Sequence, residues 1–514
     1  MNRSHHIIFL LSLGLLLCAG VFAVISKSIL LPLLTFAGIG GLFAFFYNPR
    51  LMLFVILFIR IQLDLLWWLP FSIGSINLLA AFTGGITILG TIMAAIRFSN
   101  DIERHPCTPY FLALIIFLVI GGARAFNSKI MIDEFFRIYS PILMIFLATS
   151  LFNQKKDWEK LMLVFLVSSF IPILASFYHL ATGQMSTITL DGVQRLLGGY
   201  QNLRNHSLMM FIFSCCGVYF FFQAKTTALR IFFGIYCLTT LSFLYLTYTR
   251  ATLIVFGVFT LLYLYLTNRK SWLAAGFVIA LPVVALNPGL LQRFSEFGNI
   301  FSSLSENSAQ EVDLSSMGSG RFGLWSNSME AYLDHTLPEV ILGLGFGYHW
   351  VLTRGAYSGF ALVQGGFVDT HNDMLRILYQ IGPFGLLLFC GMLFHGIKTS
   401  WWVNQNASDQ KQRELGAILL SLCVAIIINN ILSNGINSRT TFGWCFWYLL
   451  STSYISKREI LNERISQAKK SLSASIVPQI QAQAAVHSEH TPVVSRVQQA
   501  DKSNIYTLPS AETD

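Results

Sequence analysis

From Asn287 to Asp373 the chain is polar, opening on Asn287-Pro288-Gly289 and closing on Thr370-His371-Asn372-Asp373. Within it lie Gly320-Arg321 with Trp325, and the run Gly343-Leu344-Gly345-Phe346-Gly347. This is the one long polar interval between segments that otherwise read as membrane-spanning helices. The whole chain is 54% hydrophobic and only 11% charged, whereas a soluble domain carries about 25% charged residues. Forty-four Phe and ten Trp suit contact with lipid and its interface. Composition therefore predicts an all-α polytopic membrane protein with one large loop, and no nucleic-acid partner is expected.

A helix crosses a bilayer with about 20 apolar residues. Fourteen stretches fit that template. The first seven are Ile7–Ile25, Ile29–Phe46, Leu51–Leu69, Ile76–Ile96, Tyr110–Phe126, Phe136–Phe152 and Leu161–Leu180. The others are Ser207–Phe222, Ile231–Tyr248, Ala251–Leu266, Trp272–Leu286, Met374–Phe394, Leu415–Leu432 and Phe442–Ile455. Five of these are short, so the expectation is about 12–14 transmembrane helices. The organisation follows: N-terminal helices over 1–286, the loop over 287–373, C-terminal helices over 374–455 and a tail over 456–514. The tail begins basic, with Lys457, Arg458 and Arg464, suiting an anionic leaflet. From about Ser473 its composition predicts disorder. The first apolar run lacks a small-x-small cleavage site and reads as an uncleaved helix.

Charge sets the topology. With a cytoplasmic N-terminus, the short inner loops hold fourteen Lys and Arg and the short outer loops seven. That is the positive-inside bias. It predicts both termini on the cytoplasmic side and the large loop outside. The loop contains no Cys, and the eight Cys show no metal-ligand spacing.

Ionised groups among apolar helices are functional candidates because each costs a few kcal/mol on the insertion scale. Arg60 and Asp64 stand four apart and can pair on one helix face. Arg124, Asp133, Glu134 and Arg137 read as interfacial charges. Arg195, Arg204 and Arg250 break the inside-positive trend on the outer face. A planar, permanently charged guanidinium suits phosphate oxygens, although snorkelling to lipid headgroups is an alternative. In the loop, Trp325, Met329 and Tyr332–Leu333 repeat at helical spacing up to Pro338. The Gly343–Gly347 run lacks the Gly-Lys-Ser/Thr ending of a phosphate loop, so it reads as a turn packed closely under the next segment. Thr370, Asn372 and Asp373 are good helix caps. Capping does not require His371, whose imidazole at a helix mouth suits a general base near neutral pH.

Taken together, Thr249-Arg250-Ala251, Gly320-Arg321 with Trp325, the Leu342–Gly347 run and His371-Asn372-Asp373-Met374-Leu375 followed by Gly382-Pro383-Phe384-Gly385 resemble the O-antigen ligase and polymerase superfamily of bacterial envelope glycosyltransferases. The resemblance covers roughly residues 198–393. It departs at Leu203-Arg204, where the family commonly has a Pro. It implies a GT-C-like, metal-independent, inverting glycosyltransferase without a cofactor. The donor it implies is a glycan on undecaprenyl pyrophosphate, and the acceptor is another glycan or lipid A-core. Other implied partners are the bilayer, a flippase and a chain-length regulator. His371, Arg321 and Arg250 would be catalytic, and Arg195, Arg204, Asn372 and Trp325 would contact substrate. Polymerisation of O-antigen or exopolysaccharide repeat units is favoured over ligation to the core, and an O-linked protein glycosyltransferase is a third member. A lipid-linked oligosaccharide flippase is the reading from another class.

Overall fold

The computed structural model describes residues 47–66, 72–73, 76–97, 102, 104–184, 194–272, 274, 321–356 and 370–489. The expected spans Ile7–Ile25 and Ile29–Phe46, nearly all of Trp272–Leu286, and the loop before Arg321 lie outside these residues. The chain divides into two compact units, residues 1–460 and 461–514.

Within the described residues the architecture is helical. The first helices are α1 (Pro49–Leu63), α2 (Leu78–Arg97), α3 (Thr108–Ala123), α4 (Ser128–Leu151), α5 (Asp157–Ser168) and α6 (Phe170–Ala181). Next come α7 (Leu203–Gln223), α8 (Thr227–Leu246) and α9 (Arg250–Leu266). The loop contributes α10 (Arg321–Leu333), α11 (Leu337–Leu342) and α12 (Tyr348–Ala356). The last are α13 (Asp373–Asn406), α14 (Gln410–Leu432) and α15 (Thr440–Glu489). A two-residue hairpin pairs Ser72 with Asn77 and Ile73 with Ile76. Among the described residues, five segments are long and apolar enough to cross a membrane: Asp157–Ala181, Leu203–Gln223, Thr227–Leu246, Asp373–Asn406 and Gln410–Leu432. The protein is an all-α polytopic membrane protein.

Polar residues cap the starts of several helices. Asn48, Asn127, Asn202, Thr226, Asn372 and Asp409 each accept a hydrogen bond from a backbone N–H of the turn that follows, satisfying donors a helix leaves unpaired. One continuous apolar core then joins most of the helices of the first unit. α13 packs against α14, α3 and α11, and α9 packs against α14. α15 carries its regular structure to Glu489, beyond Ser473. In the second unit Leu461, Ile465 and Leu472 are exposed.

The glycine run is the joint between loop and helices. α13 is kinked at Gly382, which stands at φ +73° beside Pro383. Pro383 has no N–H, so the Tyr379 carbonyl lacks its helical donor; Leu344 N–H supplies one at 2.7 Å, and Gly345 N–H bonds the Gln380 carbonyl at 3.2 Å. Phe346 N–H takes the carbonyl of Gly121 near the end of α3 at 3.0 Å. A Cβ on Gly343 would stand 2.5 Å from the Gly382 nitrogen, and one on Gly345 2.2 Å from the Arg124 oxygen. Close packing under the next segment is therefore the run's structural role.

α10 forms as the spacing predicts and buries Tyr332 of the expected stripe, but the rest of its buried face is Leu324 and Ser328, each one position before Trp325 and Met329, and Leu333 is 60% exposed. The cause is polar: Ser328 Oγ lies 3.0 Å from the Tyr379 hydroxyl. Nor does Pro338 end this helix. It sits in the first turn of α11, where its missing N–H costs nothing.

Candidate functional site

The loop returns to the bundle at Thr370-His371-Asn372-Asp373, and this junction is fastened on every side. The Asn372 side-chain oxygen accepts from Met374 N–H at 2.9 Å and Leu375 N–H at 3.0 Å. Asp373 is fully buried. Its carboxylate accepts from Gly435 N–H at 2.7 Å, from Asn437 N–H at 3.0 Å and from the Ser438 hydroxyl. That one side chain fixes the connection between α14 and α15. On the loop side, Trp325 Nε1 donates to the Thr370 carbonyl at 2.8 Å. Arg321, at the start of the same helix, donates from Nη1 to the Leu432 carbonyl at 3.0 Å, a carbonyl left open at the end of α14.

Between these anchors His371 stands at φ +52°, in the left-handed region that non-glycine residues seldom occupy. It is half-buried, and its Nδ1 lies 3.4 Å from Arg204 Nη1. Arg204 opens α7, where Asn202 caps its N–H at 2.8 Å. The next residue, Asn205, donates to Asp64 at 3.3 Å. Thr441 of α15 donates to the other Asp64 oxygen at 2.9 Å. The hydrogen bonds on the Asp64 carboxylate thus come from α7 and α15, while Arg60 lies over the Trp444 ring, 5.7 Å from its centroid. A bonded Arg60–Asp64 pair is not how the structure uses these two residues.

Arg195 and Arg250 share this end of the bundle. Ser207 Oγ meets Thr252 Oγ1 at 3.2 Å, joining the start of α7 to the start of α9, whose first residue is Arg250. Leu196 N–H bonds the Leu246 carbonyl at 3.0 Å, which draws the Arg195 segment to the α8–α9 turn. Tyr248 at φ +50° makes that turn tight. Arg204 and His371 meet directly; Arg321 and Trp325 are pinned to the same junction; Arg195 and Arg250 are placed by these neighbouring bonds. Asn372 and Trp325 spend a polar atom each on holding the junction.

One of the charges read as interfacial lies elsewhere. Glu134 is not interfacial but fully buried, paired with Arg376, which is 1% exposed. Arg376 Nε donates to the same carboxylate at 3.2 Å, its Nη1 reaches Ser438 at 2.9 Å, and Gln380 donates to Glu134 at 2.8 Å. Asp373, Ser438, Arg376 and Glu134 form one chain of buried polar contacts from the junction to α4. The signal for it was an arginine three residues into an otherwise apolar helix. The partner, 242 residues away, could not be chosen by spacing. Arg137 bonds Asp133 at 2.6 Å and Arg124 faces Glu339 at 3.6 Å, as half-exposed charges.

Among the described residues no group of three or more His, Cys, Asp and Glu could hold a metal ion. The junction sets one guanidinium beside one imidazole, a pairing suited to binding phosphate oxygens and moving a proton.

Residues 235–390 match the family model described as O-Antigen ligase. This match supports the resemblance of the chain to the O-antigen ligase and polymerase superfamily. The matched stretch contains Arg250, Arg321, Trp325, His371 and Asn372, whereas Arg195 and Arg204 precede it. A search of curated proteins found no match.

Proposed function

We propose that this protein is a periplasmic-face, inverting glycosyltransferase whose donor is a glycan on undecaprenyl pyrophosphate. The observation that carries the proposal is the approach of Arg204 to His371 at 3.4 Å, at a junction to which Arg321 is also fastened, within or beside the O-antigen ligase match. A pyrophosphate leaves readily once its negative charge is neutralised, and Arg321 and Arg250 are assigned that role. His371 takes the proton of the acceptor hydroxyl as its oxygen attacks the anomeric carbon; the carbon–oxygen bond to the diphosphate breaks and its electrons leave with the phosphate. Arg204 and Arg195 are assigned to the donor's phosphates. Trp325 and Asn372, placed on the substrate side from sequence, are assigned to holding the backbone on either side of His371. Neutralisation by arginines needs no metal, so transfer is expected to persist in EDTA; loss in EDTA with recovery on adding a divalent ion would contradict this.

The preferred acceptor is another lipid-linked repeat, making the protein a polymerase; ligation to lipid A-core is the second reading, favoured by the match to the O-antigen ligase family. Glycolipid analysis of a deletion strain separates them. Loss of a polymerase leaves single repeat units on the core, and loss of a ligase leaves polymer on the lipid carrier. A ladder of unchanged length that fails to reach the surface would point to a flippase instead.

A further inference from the structure

The pairing of Arg204 with His371 determines more than proximity. A guanidinium has five N–H donors and no acceptor. For Arg204 Nη1 to bond Nδ1 at 3.4 Å, that nitrogen must present its lone pair, and the proton of the neutral ring then sits on Nε2. The backbone that carries the arginine is held in place, because Asn202 caps its N–H and Asn205 ties the next residue to Asp64, while the long side chain can still swing. The backbone that carries the imidazole is equally constrained: Trp325 holds the preceding carbonyl, Asn372 caps the following helix, and His371 sits at φ +52°. Two rigid mounts therefore face a donor toward the only lone pair a proton-accepting imidazole can offer.

We propose that Arg204 fixes the tautomer of His371, making Nδ1 the basic nitrogen, and that the donor diphosphate uncovers Nδ1 by drawing the guanidinium onto its own oxygens. The inference rests on the glycosyl-transfer reading above and adds the identity of the basic atom and an order of binding. Phosphate oxygens are stronger acceptors for a guanidinium than a neutral ring nitrogen, since both partners are then ionised. The base becomes available only once the diphosphate is in place, so the acceptor hydroxyl is activated after the donor and water is not activated in its absence.

The test reads His371 itself rather than transfer. Purified full-length protein is treated with diethyl pyrocarbonate, which acylates an imidazole lone pair, and modification of the His371 peptide is followed by mass spectrometry. Wild type is expected to react slowly. Arg204→Gln is expected to react roughly tenfold faster, the scale set by a hydrogen bond from a charged donor; Arg204→Lys stays near wild type. Inorganic pyrophosphate is expected to accelerate the wild type several-fold and leave Arg204→Gln unchanged. Fast modification of the untreated wild type, or protection by pyrophosphate, would overturn the proposal. The pyrophosphate arm needs no variant and survives a failure of Arg204→Gln to fold. Because no transfer is measured, either result leaves the transferase reading to be judged by the activity of His371 variants.

Discussion

His371 combines a chemically useful side chain with a backbone that other residues must hold. A non-glycine residue in this region costs about 1–3 kcal/mol and persists only where its surroundings impose it. Here the imposition is visible in Trp325, Asn372 and Asp373, whose bonds fix both flanks of the residue. His371→Gly separates chemistry from architecture, because glycine accepts φ +52° without strain. Its thermal unfolding in detergent is expected within about 1 kcal/mol of wild type, while transfer falls by at least about 10². Gly345→Ala is expected to do the reverse. Its Cβ would meet the Arg124 oxygen at 2.2 Å with φ at +108°, and unfolding should be easier by about 2 kcal/mol or more. His371 was legible in the sequence as a residue that capping did not explain. Arg204 was legible as a cation that breaks the positive-inside trend. That the two touch was not, because 167 residues separate them and no spacing rule reaches that far.

At the scale of elements, the joint between α13 and its neighbours is both a hydrogen-bond repair and an ion chain. The Gly-rich run was recognisable as a turn, but its purpose depends on the Gly382–Pro383 kink opening the Tyr379 and Gln380 carbonyls. Glu134→Ala would leave Arg376 charged and buried, a loss of about 3–5 kcal/mol; a detergent-solubilised variant that melts like wild type would count against the buried pair. The short helix α11 has a pH signature of its own. The Glu339 carboxylate accepts from the Thr336 hydroxyl at 2.8 Å and from the Thr336 N–H at 3.1 Å, which hold it below its usual 4.5. A carboxyl depressed in the folded state stabilises fully above its ordinary value and loses that contribution as the pH falls through the folded one. Hydrogen-exchange protection over Leu337–Leu342 is expected to decline on acidification below 4.5, and Thr336→Val should flatten that decline.

Across the whole molecule, composition and length were enough for the helical membrane class, since the backbone in lipid has few other solutions. Eleven of the fourteen expected spans coincide with described helices. Sequence could not show how those helices meet, because partner choice is carried by single polar contacts such as Asp64 to Thr441, 377 residues apart. Sidedness was read from charge alone and is open to a direct check. Ser302→Cys is expected to react with a membrane-impermeant maleimide on intact spheroplasts, and Lys470→Cys only after permeabilisation. The opposite pattern would invert the proposed topology.

Glycosyl transfer through His371 is decided by reconstitution. Wild-type protein and His371→Ala are placed in liposomes with a polyprenyl-diphosphate-linked glycan and an acceptor glycan on the same carrier, and the products are separated by size. Wild type should lengthen the glycan and release polyprenyl diphosphate, with His371→Ala slower by at least about 10² and equally well folded. Equal rates for the two proteins, or no lengthening by wild type with any acceptor, would contradict it.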